Sequence, residues 1–128
     1  MPDATDDDLL ADFTPARPYT MEAAAGAPEA PGVHVVIDGG TVVYVGYTEN
    51  LRNRLRQHLT GNRGSSVLHD QVGQELDRPD HEAPAAEITT RLGRYDVRWQ
   101  EIDNPKSTKD VLVLAFRPKH NRQIPKPR

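Results

Sequence analysis

Four side chains that could transfer protons or bind phosphate fall within 25 consecutive residues of this chain, from 34 to 58. His34 and Tyr44 lie in two apolar runs, and Arg54 and His58 follow in a basic segment. Histidine and tyrosine can exchange protons with a reacting group, and a guanidinium can stabilise charge that develops on a phosphate. The residue types predict a site for phosphate chemistry if the fold brings the four side chains together.

The two apolar runs have the pattern of a β-hairpin. Residues 33–37 and 41–45 follow the alternation of half-buried strands, and the turn signal Asp38-Gly39-Gly40 separates them. We favour a three-residue loop, which pairs His34 with Tyr44 and sets their Cβ atoms about 4.5–5.5 Å apart. A two-residue loop would move the pairing by one residue and leave His34 diagonal to Tyr44.

The basic segment has the pattern of an amphipathic helix. Leucine recurs at every fourth position over residues 51–59, and either Thr48 or Asn50 can supply the N-cap. Arg54 and His58 form a neighbouring stripe, and side chains at i and i+4 meet on a helix surface. We therefore expect the guanidinium and the imidazole to point the same way from one rigid element.

Together these residues resemble the GIY-YIG nuclease family. Val33-His34 stands where the family has Ile-Tyr, and Tyr44-Val45-Gly46 is a variant of its Tyr-Ile-Gly motif. The intervals that lead to Arg54 and then to His58 match the family's helix, and the resemblance covers residues 30–123. It implies an α+β domain with a small central antiparallel sheet of about three strands, flanked by helices.

The resemblance also implies a reaction, in which one Mg²⁺ or Mn²⁺ ion held by a carboxylate and waters binds the scissile phosphate of DNA. Tyr44 would help to activate the attacking water, with His34 beside it as a second group able to exchange a proton near neutral pH. Arg54 would stabilise the charge on the phosphate. His58 would bind the phosphate or relay a proton, and Asn121 would support the metal and phosphate region.

One position departs from the family at the metal site. The family's metal-binding glutamate falls nine positions before Pro118 and twelve before Asn121, and both counts lead to Lys109. A lysine repels a divalent cation and supplies no oxygen ligand. Either Asp110 is the ligand, through a shift in helix phase that a late helix start at Ser107-Thr108 would allow, or the metal site is broken.

Three functions follow from these alternatives. The leading prediction is a metal-dependent DNA phosphodiesterase, an endonuclease that Lys109 impairs if position 109 is the ligand position. The second is a catalytically inactive DNA-binding module of the same fold, and the third is a protein-interaction domain. Basic residues that we expect to contact DNA are Arg52, Arg56, Arg63, Lys119 and Arg122.

Composition indicates one small domain. The chain has 128 residues, 36% of them apolar, with no cysteine and no apolar run long enough to span a membrane, which fits a cytoplasmic protein. We expect a mobile acidic arm over 1–16, or one short helix over 6–13, then the domain over 17–123 and a basic tail over 124–128. Residues 30–128 hold fifteen basic and twelve acidic residues although the whole chain has a net charge of −3, which favours contact with phosphates.

The remaining elements are predicted from apolar periodicity and turn residues. Helices are expected over 66–76, 85–92 and 106–116, and a further strand over 95–102. His69 could line the cleft from the next helix, but we expect it to be exposed, and His81 and His120 are predicted to be surface residues.

Overall fold

The computed structural model describes residues 9–121 as an antiparallel sheet with helices on both faces. The strands lie in the order β1-β4-β2-β3, which confirms the predicted α+β fold and adds a short fourth strand. The helix predicted over 85–92 is found at those bounds. The elements in chain order are β1 (Arg17–Pro18), α1 (Met21–Ala25), β2 (Gly32–Asp38), β3 (Thr41–Thr48), α2 (Leu51–Thr60), α3 (Val67–Leu76), α4 (Ala85–Leu92), β4 (Asp96–Glu101) and α5 (Pro105–Phe116).

The turn of the β2–β3 hairpin has two residues, so the predicted three-residue loop is wrong. Asp38 pairs with Thr41, and only Gly39 and Gly40 lie between them. Their φ angles are 56° and 88°, in the left-handed region that glycine enters without a steric penalty. A turn with positive φ at both central residues matches the twist of antiparallel strands, which explains why this pair of glycines closes the hairpin.

A bulge in β3 then sets the register of the site. The pairing shifts by one residue between Val36 and Ile37, so Val36 lies opposite Tyr44 and His34 lies opposite Gly46. Neither predicted partner of Tyr44 is therefore correct. His34 and Tyr44 still share one face of the sheet, because residues two apart on a strand point to the same side.

The sheet separates two apolar cores. Helices α1 to α4 pack on the face that carries Tyr44, around buried residues that include Leu51, Leu55, Leu68, Ile88 and Trp99. Helix α5 packs on the opposite face, where Leu112 and Val113 contact Val33, Val35 and Val45. In the described part of the chain no helix is both long and apolar enough to cross a membrane.

Part of the segment predicted to be a mobile arm over 1–16 is packed against the sheet. Leu10 and Phe13 are buried in the second core. The Arg98 guanidinium donates hydrogen bonds to the carbonyl oxygens of Leu10 and Thr14, at 3.0 and 2.7 Å. The first eight residues and the predicted basic tail lie outside the described residues.

Helix α2 has the bounds that its sequence predicts. The Asn50 side chain accepts a hydrogen bond from the Asn53 backbone N–H at 3.1 Å, which satisfies an unpaired donor of the first turn. The chain leaves the helix at Gly61, and the three leucines of the apolar stripe are buried. Arg54 and His58 are therefore held on a regular helix, as expected.

Helix α5 begins earlier than a late cap at Ser107-Thr108 would require. Pro105 occupies the first turn, where its fixed φ and missing N–H cost nothing, and Asn104 precedes it with a φ of 55°. The late start that the Asp110 alternative needed is therefore not found, whereas the helix predicted over 106–116 is present one residue longer. Lys109 and Asp110 therefore keep the phase of a regular helix, in which adjacent side chains differ by about 100°.

We expect Gly46→Ala to destabilise the domain. A Cβ atom at this position would lie 2.6 Å from two atoms of the His34 ring and 2.9 Å from the Tyr44 ring. Overpacking of a core typically costs about 1–3 kcal/mol, so urea denaturation should show a free energy of unfolding reduced by about that amount.

Gly93→Ala is the matched control. Gly93 has a φ of −65° at the end of α4, and an added Cβ would approach its nearest neighbour no closer than 3.4 Å. Equal losses of stability in the two variants would contradict close packing of the His34 ring on Gly46.

Candidate active site

A cleft of about 570 Å³ lies at the β3 edge of the sheet. It gathers side chains from both faces, because Arg54 reaches it from α2 and Lys109 reaches it from α5 on the other side. Asn121 contributes from the segment that follows α5. The lining residues are Tyr44, Val45, Gly46, Tyr47, Arg54, Val67, Lys109 and Asn121.

Tyr44 and Arg54 lie together in the wall of the cleft. Burial raises the pKa of Tyr44 above its ordinary value, and the charge and hydrogen bond of Arg54 lower it in part. Nη1 of Arg54 also donates to the Gln57 side-chain oxygen and to the Ser65 carbonyl oxygen, the latter at 3.0 Å. The guanidinium is therefore fixed beside a phenol that keeps its proton at neutral pH.

His34 and His58 form a buried layer behind Tyr44. Both residues are 0% exposed, and their Nε2 atoms are 3.0 Å apart. The Tyr44 ring centroid lies 5.9 Å from that of His34 and 5.4 Å from that of His58. The fold thus brings all four motif residues together, but only Tyr44 and Arg54 line the cleft.

The protonation of these two histidines is set by their burial. Burial, and then the charge of Arg54, lowers the pKa of His34 to about 3. Burial also lowers the pKa of His58 well below its ordinary range, with further lowering by His34, Arg54 and His69. Both rings are therefore neutral at pH 7. A pKa of about 3 for His34 argues against the expectation that this side chain exchanges protons near neutral pH.

Ser66, which the sequence analysis did not name as a site residue, and His69 support His58. The Ser66 hydroxyl lies 2.6 Å from Nδ1 of His58 and accepts a hydrogen bond from the His69 backbone N–H at 3.0 Å. Nδ1 of His69 donates to the His58 carbonyl oxygen at 2.8 Å. Serine directly before an apolar helical run signals an N-cap, and that signal identifies Ser66.

The predictions for the remaining histidines are partly wrong. His69 and His120 are both buried rather than exposed. Nδ1 of His69 is hydrogen-bonded within the core, and the His120 backbone N–H donates to the Val43 carbonyl oxygen at 2.9 Å. Only His81 is exposed, as predicted.

Asn121 holds the segment after α5 on the edge of β3. Its Nδ2 donates to the Val45 carbonyl oxygen at 2.8 Å, and its Oδ1 accepts from the Val45 N–H at 2.9 Å. Both ends of the amide are thus engaged with the backbone of the residue next to Tyr44. This contact gives Asn121 a positioning role at the cleft wall.

Lys109 occupies the cleft, whereas Asp110 does not line it. The Lys109 side chain is 17% exposed, with Nζ 5.6 Å from the Tyr47 ring centroid and 3.3 Å from Oδ1 of Asp110. The other Asp110 oxygen lies 3.0 Å from Nζ of Lys106. Burial raises the pKa of Asp110, but hydrogen bonds from the two lysines outweigh it and hold the pKa below its usual value.

The donor set of the cleft does not fit a divalent metal ion. Mg²⁺ and Mn²⁺ take oxygen ligands and at least one carboxylate in sites of this kind, yet no carboxylate lines the cleft among the residues described. Residues 9–121 also contain no cluster of three or more histidine, aspartate or glutamate side chains that could hold a metal. The predicted ligand, Asp110, is engaged by two ammonium groups instead.

Two of the arginines predicted to contact DNA are paired with acids. Arg63 binds both oxygens of Asp77, at 2.8 and 2.9 Å, and Asp70 at 2.9 Å, and these bonds raise its pKa. Arg52 lies 3.3 Å from Glu29 and donates to a backbone carbonyl. These guanidinium groups stabilise loops of the domain, and their role in binding DNA stays a prediction.

The other basic residues predicted to contact DNA differ in their surroundings. Nζ of Lys119 lies 3.0 Å from Glu75. Arg56 is exposed on α2, away from the cleft lining. Arg122 lies outside the described residues.

Residues 34–78, which include Tyr44, Arg54 and the buried histidine pair, match the family model of the GIY-YIG catalytic domain. This part of the chain is similar to the GIY-YIG catalytic domain. The match confirms the resemblance seen in the sequence. It ends before α5, so Lys109 and Asn121 lie outside it.

Two curated relatives are similar to a larger part of the chain. The UvrABC system protein C of Lactobacillus helveticus is 28% identical over 99 residues, which cover 76% of this chain and 14% of that protein. The protein of the same name from Lactobacillus acidophilus gives the same values. The chain therefore spans only a small part of the length of these relatives.

Solved structures share the fold. The GIY-YIG N-terminal endonuclease domain of UvrC from Thermotoga maritima, solved as a point variant bound to its catalytic divalent cation, aligns with a TM-score of 0.51 at 23% identity. The alignment covers 80% of this chain and 93% of that domain. A second point variant of the same domain, also solved with its divalent cation, gives the same values. This likeness shows that the two share a fold.

The buried histidines predict how stability depends on pH. Because burial depresses the pKa of His34 to about 3, the unfolded chain binds more protons than the folded chain below the ordinary histidine pKa. Stability is therefore complete above about pH 6.5 and should fall by up to about 1.4 kcal/mol per pH unit for each such histidine as the pH is lowered. Urea denaturation at about pH 7.5 and about pH 5.5 measures this loss.

His34→Gln should reduce the pH dependence, because glutamine does not titrate, even though the variant is less stable at both pH values. His81→Gln is the control, since the His81 side chain is exposed and lies beside the carboxylate of its neighbour Asp80. The same pH dependence in His34→Gln and in the unsubstituted chain would show that His34 is not a buried neutral histidine.

Proposed function

We propose that this domain hydrolyses phosphodiester bonds of DNA and that the cleft at the β3 edge holds the scissile phosphate. The supporting observation is that a buried hydroxyl and a fixed guanidinium, from Tyr44 and Arg54, meet in the wall of a cleft that also contains Lys109. A bound phosphate would meet one hydroxyl and two cations. The similarity to the endonuclease domain of UvrC supports the same reaction class.

Arg54 is placed to stabilise charge in the transition state. Its guanidinium is already held by Gln57 and Ser65, so it would not have to reorganise as negative charge builds on the phosphate oxygens. A guanidinium also presents its N–H groups as a planar fork that matches two phosphate oxygens. Preorganised charge of this kind is the main contribution a protein makes to phosphoryl chemistry.

Tyr44 is proposed to orient the attacking water through its hydroxyl group. Burial raises its pKa, so the hydroxyl keeps its proton at neutral pH and can donate or accept a hydrogen bond. Arg54 opposes that rise, so the same guanidinium would stabilise any negative charge that the phenol acquires. His34 and His58 are proposed to position the Tyr44 ring rather than to touch the substrate, because both are fully buried.

No step of this proposal uses a metal ion, because the cleft residues do not fit one. The second candidate, a DNA-binding module without cleavage, is favoured by Lys109, which stands where the family has its metal-binding glutamate. Both candidates need DNA in the cleft, and both are consistent with the cytoplasmic location expected from the sequence. Cleavage and binding assays on the same variants separate them.

Arg54→Ala should abolish most of the cleavage. Loss of one preorganised group at the developing charge lowers rates by about 10²–10³-fold, and Arg54→Lys should also be impaired because lysine lacks the planar fork. The measurement is the rate at which supercoiled plasmid is nicked, with and without Mn²⁺.

Arg56→Ala is the matched control on the same helix, since Arg56 is exposed and outside the cleft. It should weaken DNA binding slightly and leave the nicking rate close to that of the unsubstituted protein. Equal nicking by Arg54→Ala and the unsubstituted protein would refute the role of the cleft. If the unsubstituted protein binds DNA through Arg54 without nicking it, the second candidate is correct.

A further inference from the structure

We propose that the ammonium group of Lys109 takes the place of a divalent cation in this cleft, so that the domain binds a DNA phosphate without a metal ion. The inference rests on the proposed function, which puts a phosphodiester in the cleft. It goes beyond that function because it names the group that neutralises the phosphate opposite Arg54. It also predicts that DNA binds without a metal ion, whereas the family resemblance implies that a metal ion binds the phosphate.

Lys109 lies in the wall of the cleft. Helix α5 starts at Pro105 and is regular, so Lys109 faces the cleft that Tyr44 and Arg54 line from the other face of the sheet. Its side chain is largely buried, which distinguishes it from an ordinary solvated surface lysine. The ammonium group is therefore a built part of the cleft wall.

The charged groups in and around the cleft are predominantly positive. Asp110, the acid that contacts Lys109, is shared with Lys106, so two ammonium groups surround one carboxylate. This trio has a net charge of about +1, and Arg54 adds a second positive charge to a cleft whose described lining contains no acid. A site of this kind attracts a phosphodiester anion and repels Mg²⁺ or Mn²⁺.

The chemistry of the ligand fits this arrangement. A phosphodiester carries one negative charge over two free oxygens, and lysine binds such groups as a compact point charge while arginine binds them as a fork. Arg54 and Lys109 line the cleft from opposite sides of the β3 edge, with Tyr44 in the same lining, so a phosphate bound there would have a cation on each side. A metal ion is not needed to complete the charge.

The first experiment measures fluorescence anisotropy of a fluorescein-labelled DNA duplex in EDTA and in Mg²⁺ at matched ionic strength. The unsubstituted protein should bind equally well in both buffers. Lys109→Met, which keeps the length of the side chain and removes its charge, should weaken binding in EDTA by about 10-fold. Lys106→Met is the comparison, because it removes the same charge from a more exposed lysine of the same helix outside the cleft lining, so it should weaken binding much less than Lys109→Met.

The second experiment measures metal binding directly, by electron paramagnetic resonance of Mn²⁺ added to the protein alone. The unsubstituted protein should leave Mn²⁺ free in solution. Lys109→Glu puts a carboxylate into the cleft, so it should bind Mn²⁺, and its DNA binding should become weak in EDTA and recover with metal. Asp110→Ala should not change the Mn²⁺ signal. Circular dichroism and thermal unfolding establish that each variant is folded.

The outcomes separate this inference from the proposed function. If Arg54→Ala and Lys109→Met both bind DNA like the unsubstituted protein, or if no DNA is bound at all, the cleft is not a DNA site and both proposals fail. If Arg54→Ala weakens binding but Lys109→Met does not, the proposed function stands and the role of Lys109 is refuted. Loss of DNA binding in EDTA, or Mn²⁺ binding that Asp110→Ala removes, would likewise overturn the inference.

Discussion

The site depends on the contact between the His34 ring and the backbone at Gly46. A Cβ atom at position 46 would lie 2.6 Å from that ring, so the imidazole occupies space that only a glycine leaves open. From there the ring reaches Nε2 of His58 at 3.0 Å and joins both strands of the hairpin to α2. This pair is neutral at pH 7, and its rings lie beside Tyr44 at the back of the cleft.

The edge of β3 is the meeting point of two otherwise separate halves of the domain. Helix α2 and helix α5 pack on opposite faces of the sheet, and only a strand at the edge lets their side chains meet in one cleft. Asn121 binds the backbone of Val45 on that edge with both ends of its amide. The strand therefore cannot extend pairing to another chain at this point, and the cleft stays open to a ligand.

The cleft contains Tyr44 and Arg54 of the segment that matches the GIY-YIG model, and Lys109 lies opposite them. In a site built around a cation, a carboxylate attracts the metal and the metal attracts the phosphate. In the proposed metal-free mode of binding, Lys109 would itself supply the positive charge that a metal ion supplies elsewhere. Binding of phosphate and hydrolysis of phosphate are then separate properties, because a point charge on a side chain does not also activate a water as a metal ion does.

The sequence by itself determined the local elements and the spacing of the site. The alternation of the hairpin, the Asn50 cap and the intervals from Tyr44 to Arg54 and His58 are short-range patterns, and the structure has each of them. Burial, register and pairing were decided by the tertiary structure, because they depend on residues distant in the chain. The bulge changed the partner of Tyr44, the covering helices buried His34 and His58, and acids from other segments engaged Arg63 and Arg52. The sequence identified Lys109 as the departure from the family, but only packing of α5 against the β3 edge placed its charge in the cleft with Arg54.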